Sequence, residues 1–172
     1  MTIQSGYQKS QITVENICKA KIRLKNVVQH TPLMSNYNLS EQYQCNLYLK
    51  REDLQVVRSY KIRGAYNKMA QIPRDQLLRG IVCASAGNHA QGVALACQHL
   101  DVRGKIYMPT TTPKQKIDKV KTFGKHYVEI VLVGDTYDAS YQLAVKEAEK
   151  NEQVFIHPFN DQQVIEGQGT LG

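Results

Sequence analysis

Cys-Ala-Ser-Ala-Gly-Asn-His-Ala-Gln-Gly, residues 83–92, is the stretch that decides how this chain folds. An apolar β-branched pair precedes it and apolar residues at helical spacing follow it, so the pattern predicts a strand, a tight polar loop and the start of a helix. A helix N-terminus exposes unpaired N–H groups and the positive end of the helix dipole, which makes Ser85–His89 a natural seat for an anion. The pattern is explained equally well if Ser85 or Asn88 only caps the helix.

The alternation of strand and helix continues along the chain. It predicts βαβ units with right-handed crossovers, hence an α/β fold with an open parallel sheet covered by helices on both faces. Ligands of such sheets bind beyond the carboxyl ends of the strands, where Ser85–His89 lies. We predict strands at 46–50, 80–84, 105–108, 128–133 and 154–156, helices at 13–30, 40–43, 60–72, 88–100, 113–123 and 136–150, N-caps at Thr13 and Thr112, and Gly124 just past a helix end.

The composition indicates an ordinary globular domain with a buried core, because 42% of the 172 residues are hydrophobic. The sequence has no apolar run long enough to cross a membrane and no apolar signal segment, so we expect a soluble, cytoplasmic protein without membrane contact. The four cysteines have no metal-ligand spacing and occur within apolar patterns. We therefore expect reduced, buried thiols and no disulfide framework or metal site.

The net charge of +7 raises the question of nucleic-acid binding, because lysines are concentrated at 114–125. They fall on several faces of one short predicted helix without interleaved aromatics, so a solvated helix is the better interpretation. The letters Gly-x-Gly-x-x-Gly at 167–172 match a dinucleotide fingerprint. That fingerprint also needs a preceding strand and a following helix and acidic residue, and the sequence stops at Gly172. We expect neither a nucleic-acid partner nor a nucleotide site.

Three motifs in fixed order carry the chemistry. They are Lys-Arg-Glu-Asp-Leu-Gln at 50–55, Ser-Tyr-Lys-Ile-Arg-Gly-Ala at 59–65, and Ala-Ser-Ala-Gly-Asn-His-Ala-Gln-Gly at 84–92. Together they resemble the threonine dehydratase family of the biosynthetic type, which are pyridoxal-phosphate enzymes of the tryptophan-synthase-β fold (fold type II). The likeness covers nearly everything from Val14 onward and continues through Met108–Lys116, Gly134–Thr136 and Gly167–Thr170.

The resemblance implies a small domain inserted into a large one. Residues 1–57 would form the N-terminal part of the large domain, residues 58–157 the small α/β domain, and residues 158–172 the start of the return into the large domain. The family's glycine-rich phosphate loop lies downstream of Gly172. We therefore expect this piece to hold the cofactor weakly and to turn over little or no substrate. Glu166 departs from the family, which usually has a small residue before Gly167.

The resemblance also implies the role of Lys61. It would form the Schiff base with pyridoxal 5'-phosphate and then act as general base at the substrate α-carbon. An amine that attacks an aldehyde must be unprotonated, so we expect a lowered pKa, to which the cations Arg63 and Arg51 could contribute.

The loop after residue 84 would complete this side of the site. The resemblance implies that Asn88 hydrogen-bonds the ring hydroxyl oxygen of the cofactor. Ser85, Gly87, Asn88 and His89 would bind the substrate carboxylate. Two alternatives stay open: Ser85 is an acid/base, as in the related serine racemases, or His89 is a buried histidine that only packs and hydrogen-bonds.

The implied reaction is the dehydration and deamination of L-threonine to 2-oxobutanoate and ammonia, which feeds isoleucine biosynthesis. L-Serine is a second candidate substrate, and the full-length protein is expected to be a homo-oligomer, either a tetramer or a dimer. The alternatives are a related serine/threonine dehydratase, a serine racemase, or a truncated α/β module that binds without catalysing.

Overall fold

The computed structural model describes residues 12–172, in which strands and helices alternate as expected. The strands are β1 (Leu33–Ser35), β2 (Tyr48–Lys50), β3 (Ile81–Ala84), β4 (Gly104–Met108), β5 (Val128–Leu132) and β6 (Val154–Phe155). The α-helices are α1 (Val14–Arg23), α2 (Tyr37–Tyr43), α3 (Lys61–Met69), α4 (Arg74–Leu78), α5 (Asn88–Leu100), α6 (Lys114–Gly124), α7 (Tyr137–Lys150) and α8 (Gln162–Gly169). Short 3-10 helices cover Glu52–Leu54 and Lys125–Tyr127.

The predicted parallel sheet is confirmed. Its strand order is β5-β4-β3-β6 and each neighbouring pair is parallel, whereas β1 and β2 form a separate antiparallel pair. The central strand β3 is buried along its whole length, which explains its continuous apolar sequence. All four parallel strands end at the same edge, and the loop that begins at Ser85 lies on that edge.

Helices cover both faces of the sheet, as predicted. On one face Val82, Ala84 and Tyr107 pack against Ala144 and Ala148 of α7. On the other face the alternate side chains of β3 and β4 join a larger core built on α3, α5 and α6, with members including Cys83, Ile106, Val93, Met69 and Val120. The period-2 alternation of a strand thus divides the apolar residues between two cores.

Helix ends show where the sequence predictions hold and where they fail. Thr13 caps α1 as predicted, since its Oγ1 accepts the Asn16 N–H at 3.2 Å. The prediction of Thr112 as a cap is wrong: Pro113 is the N-cap of α6, and within residues 12–172 the buried Thr112 hydroxyl has no hydrogen-bond partner. Gly124 is the last residue of α6 instead of the residue beyond it, and Lys125, which follows, has a positive φ of 49°.

Other departures concern short elements. Helix α1 ends at Arg23 instead of residue 30, because the backbone turns at Leu24. Strand β1 and helices α4 and α8 were not predicted from the sequence, although Asp161 before α8 is an ordinary capping residue whose carboxylate accepts the Val164 N–H. Gly167 lies inside α8, so the Gly-x-Gly-x-x-Gly letters do not form a strand-to-helix loop.

The cysteines are all free, but they differ in burial. Cys83 and Cys97 are buried free thiols as expected, but the expectation is wrong for Cys18 and Cys45, which are exposed on α1 and after α2.

None of the helices within residues 12–172 is long and apolar enough to cross a membrane. The same residues contain no group of three or more His, Cys, Asp or Glu that could hold a metal ion. The division at residues 57 and 157 stays a prediction.

Candidate active site

Lys61 is the first residue of α3, and its side chain is half-buried. Its Nζ donates a hydrogen bond to the Pro158 carbonyl oxygen at 2.9 Å and lies 5.4 Å from the centroid of the Tyr60 ring. Burial lowers the pKa of the Lys61 amine below its ordinary value of 10.5. The direction agrees with the requirement for a nucleophile or a base, because a lower pKa leaves more of the amine unprotonated near neutral pH.

The arginines do not cause this shift, contrary to the sequence-based expectation. Arg63 is buried and holds both oxygens of Glu52, with Nε–Oε2 and Nη2–Oε1 distances of 2.8 Å. Arg51 is paired with Asp53 through two hydrogen bonds, at 2.8 and 2.7 Å. Each guanidinium is thus neutralised by its own carboxylate, and burial is what lowers the pKa of Lys61.

Glycines position the helix that carries Lys61. A methyl group on Gly92 of α5 would stand 3.0 Å from both the Ile62 nitrogen and the Lys61 carbonyl carbon, so only glycine lets the start of α3 approach α5 this closely. On its other side α3 crosses α8, where a methyl group on Gly167 would stand 2.7 Å from the Gly64 Cα. Backbone-to-backbone packing on two sides therefore fixes the Lys61 Cα.

The loop from Ser85 to His89 leaves the start of α5 open. Gly87 is the N-cap, and no side chain of the described chain caps the helix from that position. The Ser85 hydroxyl instead accepts the Gly87 N–H at 3.2 Å, which leaves its own hydrogen available to a ligand. Plain capping by Ser85 or Asn88 is thereby ruled out, and the first-turn N–H groups of α5 remain available to an anion.

His89 is buried inside this wall, with 3% of its surface exposed. Its Nε2 is 2.9 Å from the Ile156 carbonyl oxygen, and its Nδ1 has no hydrogen-bond partner within residues 12–172. The pKa of His89 is lowered to about 4, mainly by burial; the hydrogen bond to the Ile156 carbonyl opposes this shift, and the charges of Lys61 and His157 add to it. The ring is therefore neutral at physiological pH, with Nε2–H as the donor and a bare Nδ1 as an acceptor.

Comparison with known proteins identifies the family. The sequence model of the family described as pyridoxal-phosphate dependent enzymes matches residues 24–172. The chain belongs to the pyridoxal-phosphate dependent enzyme family. It is 57% identical over 162 residues to the biosynthetic L-threonine dehydratase of Halalkalibacterium halodurans, and 57% identical over 164 residues to that of Bacillus subtilis. These alignments cover 94% and 95% of this chain but 39% of each relative, so the chain spans about two fifths of the length of the curated relatives it matches.

Solved structures give the same result for the fold. Threonine deaminase isoform 2 of Solanum lycopersicum matches with a TM-score of 0.83 and 43% identity, over 92% of this chain and 44% of that chain. Maize serine racemase matches with a TM-score of 0.85 and 31% identity, over 92% of this chain and 47% of that chain. The α/β fold predicted from the sequence is therefore the fold of this pyridoxal-phosphate family.

The residues present fit a polar ligand of this family. Ser59 Oγ, two residues before Lys61, and His89 Nδ1 are buried without a hydrogen-bond partner in the described part of the chain. Buried polar groups normally have partners, so each orphaned atom suits a polar group of a bound molecule. A methyl group on Gly87 would meet no described atom within 4 Å, which leaves open space beside the first turn of α5.

The structure brings some of the predicted residues together. Lys61 and His89 both bind the segment that follows β6, through the Pro158 and Ile156 carbonyl oxygens. Ser85 is half-buried and Asn88 exposed, both at the adjacent end of α5. The roles predicted for all of them, and for Gly87, stay predictions.

Two contacts that place Lys61 were not predicted from the sequence: the hydrogen bond to the carbonyl oxygen of Pro158 and the close approach of α3 to Gly92. A glycine inside an apolar helix is a readable signal for close packing. A backbone carbonyl that receives a distant lysine leaves no signal in the sequence.

Proposed function

We propose that this chain provides the lysine side of the active site of an L-threonine dehydratase, which uses pyridoxal phosphate to convert L-threonine to 2-oxobutanoate and ammonia. The observation that carries the proposal is the Lys61 amine. It is half-buried, its pKa is lowered, and it is held at the carboxyl edge of the sheet, the edge from which the open first turn of α5 starts. The names of the curated relatives support the choice of substrate.

When bound, pyridoxal phosphate supplies an electron sink for negative charge at the α-carbon of an amino acid. The chain's own contribution is to hold and move a proton. Lys61 Nζ takes the α-proton in its unprotonated form, which the lowered pKa favours, and the Pro158 carbonyl oxygen keeps the amine oriented. We assign to Asn88 a hydrogen bond to the ring hydroxyl oxygen of the cofactor, from its exposed position at the start of α5.

We assign the substrate carboxylate to the loop 85–89, at the same edge of the sheet as the amine. Free N–H groups at the start of α5 and the positive end of its dipole favour an anion there. The Ser85 hydroxyl, oriented by the Gly87 N–H, donates its hydrogen to the carboxylate, and the missing side chain of Gly87 leaves room for it. The His89 ring is neutral and its bare Nδ1 only accepts hydrogen bonds, so we assign the contact between His89 and the carboxylate to its backbone N–H in the first turn of α5.

Covalent trapping of the cofactor tests the assignment of Lys61. The purified chain is mixed with pyridoxal phosphate, reduced with borohydride, digested and analysed by mass spectrometry. We expect the phosphopyridoxyl adduct on Lys61 at substoichiometric occupancy, and its loss in Lys61→Ala. The control variant, Lys146→Ala, removes an exposed lysine on α7 and should leave the adduct unchanged. Equal labelling of many exposed lysines, unaffected by Lys61→Ala, would contradict the proposal and favour a module that binds without catalysing.

A second candidate reaction is the racemisation of serine, and it is favoured by the free hydrogen of the Ser85 hydroxyl and by the match to maize serine racemase. A racemase needs a second acid/base across from the lysine, a role that a serine hydroxyl performs only if it faces the α-carbon. A substrate panel on the full-length protein separates the two, with 2-oxobutanoate from L-threonine and D-serine from L-serine measured side by side. Dominant D-serine formation would favour the racemase.

Location and assembly are part of the proposal. Free cysteines, two of them exposed, support a reducing cytoplasm. Large apolar side chains exposed on β1, α2 and β2, among them Leu33 at 65%, Tyr37 at 76% and Tyr48 at 56%, support assembly into a homo-oligomer, because isolated subunits rarely expose so much apolar surface in one place.

A further inference from the structure

The segment after β6 binds two side chains of the proposed site at alternate residues. Its Ile156 carbonyl oxygen contacts His89 Nε2 at 2.9 Å, and its Pro158 carbonyl oxygen accepts the Lys61 amine at 2.9 Å. The residue between them, His157, directs its ring at the turn that follows. What keeps this segment in shape therefore also determines where the two site side chains rest.

The His157 ring holds the turn that follows. Its Nδ1 accepts the backbone N–H of Phe159 at 3.2 Å and of Asn160 at 2.7 Å. The ring packs edge-on against Phe159, with 4.7 Å between ring centroids, and against Tyr141 and Phe155 at 6.2 and 6.3 Å. A ring nitrogen that accepts two N–H groups carries no hydrogen, so the neutral form with hydrogen on Nε2 is the one that fits.

We propose that His157 is a positioning residue: its bare Nδ1 ties the turn 157–160, and that turn holds the Pro158 carbonyl oxygen under the Lys61 amine. The inference rests on the role proposed above for Lys61. The planar peptide that carries the Pro158 carbonyl oxygen also carries the Phe159 N–H, so the hydrogen bond that His157 Nδ1 accepts from this N–H orients the carbonyl as well. The two N–H bonds accepted by His157 are the anchors on the side that leads away from β6.

The two hydrogen bonds that His157 Nδ1 accepts depend on the charge of its ring. Protonation of Nδ1 would turn the acceptor into a donor that faces two other donors, so the turn would open. Burial lowers the pKa of His157, whereas Asp161 at the start of α8 raises it by its charge. Two further titratable groups face the ring: His89, itself neutral, and Tyr141 from α7. The lowered pKa keeps the ring neutral and the turn closed at neutral pH, and the turn opens on acidification.

Two substitutions separate the acceptor from the ring. His157→Phe keeps an aromatic ring but removes the acceptor. His157→Asn removes the ring but supplies a side-chain oxygen, the usual acceptor for N–H groups two and three residues further on. The matched control is His126→Phe. His126 is also a histidine, but it is exposed and lies at the opposite, amino-terminal edge of the sheet.

The readouts need no cofactor. Amide hydrogen exchange of Phe159 and Asn160 reports the turn, and site-resolved acetylation by trace reagent reports the Lys61 amine. In His157→Phe we expect exchange at these two amides at least tenfold faster than in the parent chain, together with a changed rate of Lys61 acetylation. His157→Asn should restore both, and His126→Phe should change neither. The parent chain should lose protection at the two amides as the pH falls through the pKa of His157.

Unchanged exchange and unchanged Lys61 reactivity in His157→Phe would overturn the inference, as would a failure of His157→Asn to restore them while the far-ultraviolet circular dichroism stays that of the parent. These outcomes are distinct from a failure of the proposed function. That failure would show as missing cofactor trapping on Lys61 in the parent chain, whatever the state of the turn.

Discussion

The ion pair between Arg63 and Glu52 supports the sharpest stability prediction. Both side chains are nearly buried, 6% and 10% exposed, and the Glu52 carboxylate also accepts the Thr31 hydroxyl at 2.5 Å. Replacing Glu52 by Gln keeps the shape of the side chain but leaves the Arg63 guanidinium buried without a counter-charge. Breaking a buried pair in this way costs about 3–5 kcal/mol, a large fraction of the ~5–15 kcal/mol that stabilises a typical domain.

The chain offers a matched control in the Arg79–Glu152 pair. Its atoms are 2.6 Å apart, against 2.8 Å for the buried pair, but the two side chains are 47% and 77% exposed. Exposed pairs contribute about 0.2–1 kcal/mol, so Glu152→Gln should cost no more than that. Comparing the two substitutions isolates the effect of burial at nearly constant distance.

Urea denaturation followed by circular dichroism measures both variants. With a urea slope of about 2 kcal/mol per M, Glu52→Gln should lower the midpoint by about 1.5–2.5 M and Glu152→Gln by less than about 0.5 M. The double variant Glu52→Leu/Arg63→Met should recover most of the loss, because it leaves no unpaired charge. A cost below 1 kcal/mol for Glu52→Gln, or a double variant worse than the single one, would refute the reasoning.

The remaining predictions concern the glycines and one histidine. Gly92→Ala should destabilise the fold by about 1–3 kcal/mol, because the methyl group meets backbone atoms at 3.0 Å that cannot rotate away, and the same denaturation assay measures it. Gly87→Ala should leave the urea midpoint unchanged, since no described atom lies within 4 Å of the added group, and a lowered midpoint would contradict this. In the full-length protein the same substitution should raise the KM for L-threonine, because the methyl group occupies space assigned to the substrate carboxylate. His89, with a pKa of about 4 in the fold against 6.5 when free, binds fewer protons than in the unfolded chain, so stability should fall as the pH decreases from about 6.5 to 4. His89→Asn should flatten that part of the curve of unfolding free energy against pH, and an unchanged slope would show that another group is responsible.

The sequence predicted the sheet and the helix of residues 88–100 well, because their apolar periodicity is long and uninterrupted. It predicted less well where a single contact decides an element's end. Thr112 has the chemistry of a cap, yet Pro113, whose φ is fixed, occupies the cap position and the threonine hydroxyl is left without a partner among the described residues. Elements of three to eight residues such as β1 and α8 carry too few residues for a period to stand out.

For the candidate site too, some features could be predicted from the sequence and others could not. Lys61 and the loop 85–89 could be found from motifs, because their chemistry resides in side chains. The reason for the lowered pKa of Lys61 could not, since the burial of its amine arises only when the chain folds, and the sequence does not show that carboxylates take up the charges of the neighbouring arginines. Arg63 looks in the sequence like a neighbour of Lys61, but in the structure its charge is taken up by Glu52.

The glycine contacts around α3 have a consequence for mutational scans. Close contacts between three helices depend on Gly92 of α5, Gly64 of α3 and Gly167 of α8. A methyl group added at any of these positions would stand 3.0 Å or less from neighbouring atoms. In a saturation screen for activity these positions would score as severely as Lys61, although none of them carries a reactive group. A test of soluble yield beside activity would distinguish them, because substitutions here lower both, whereas Lys61→Ala lowers activity alone.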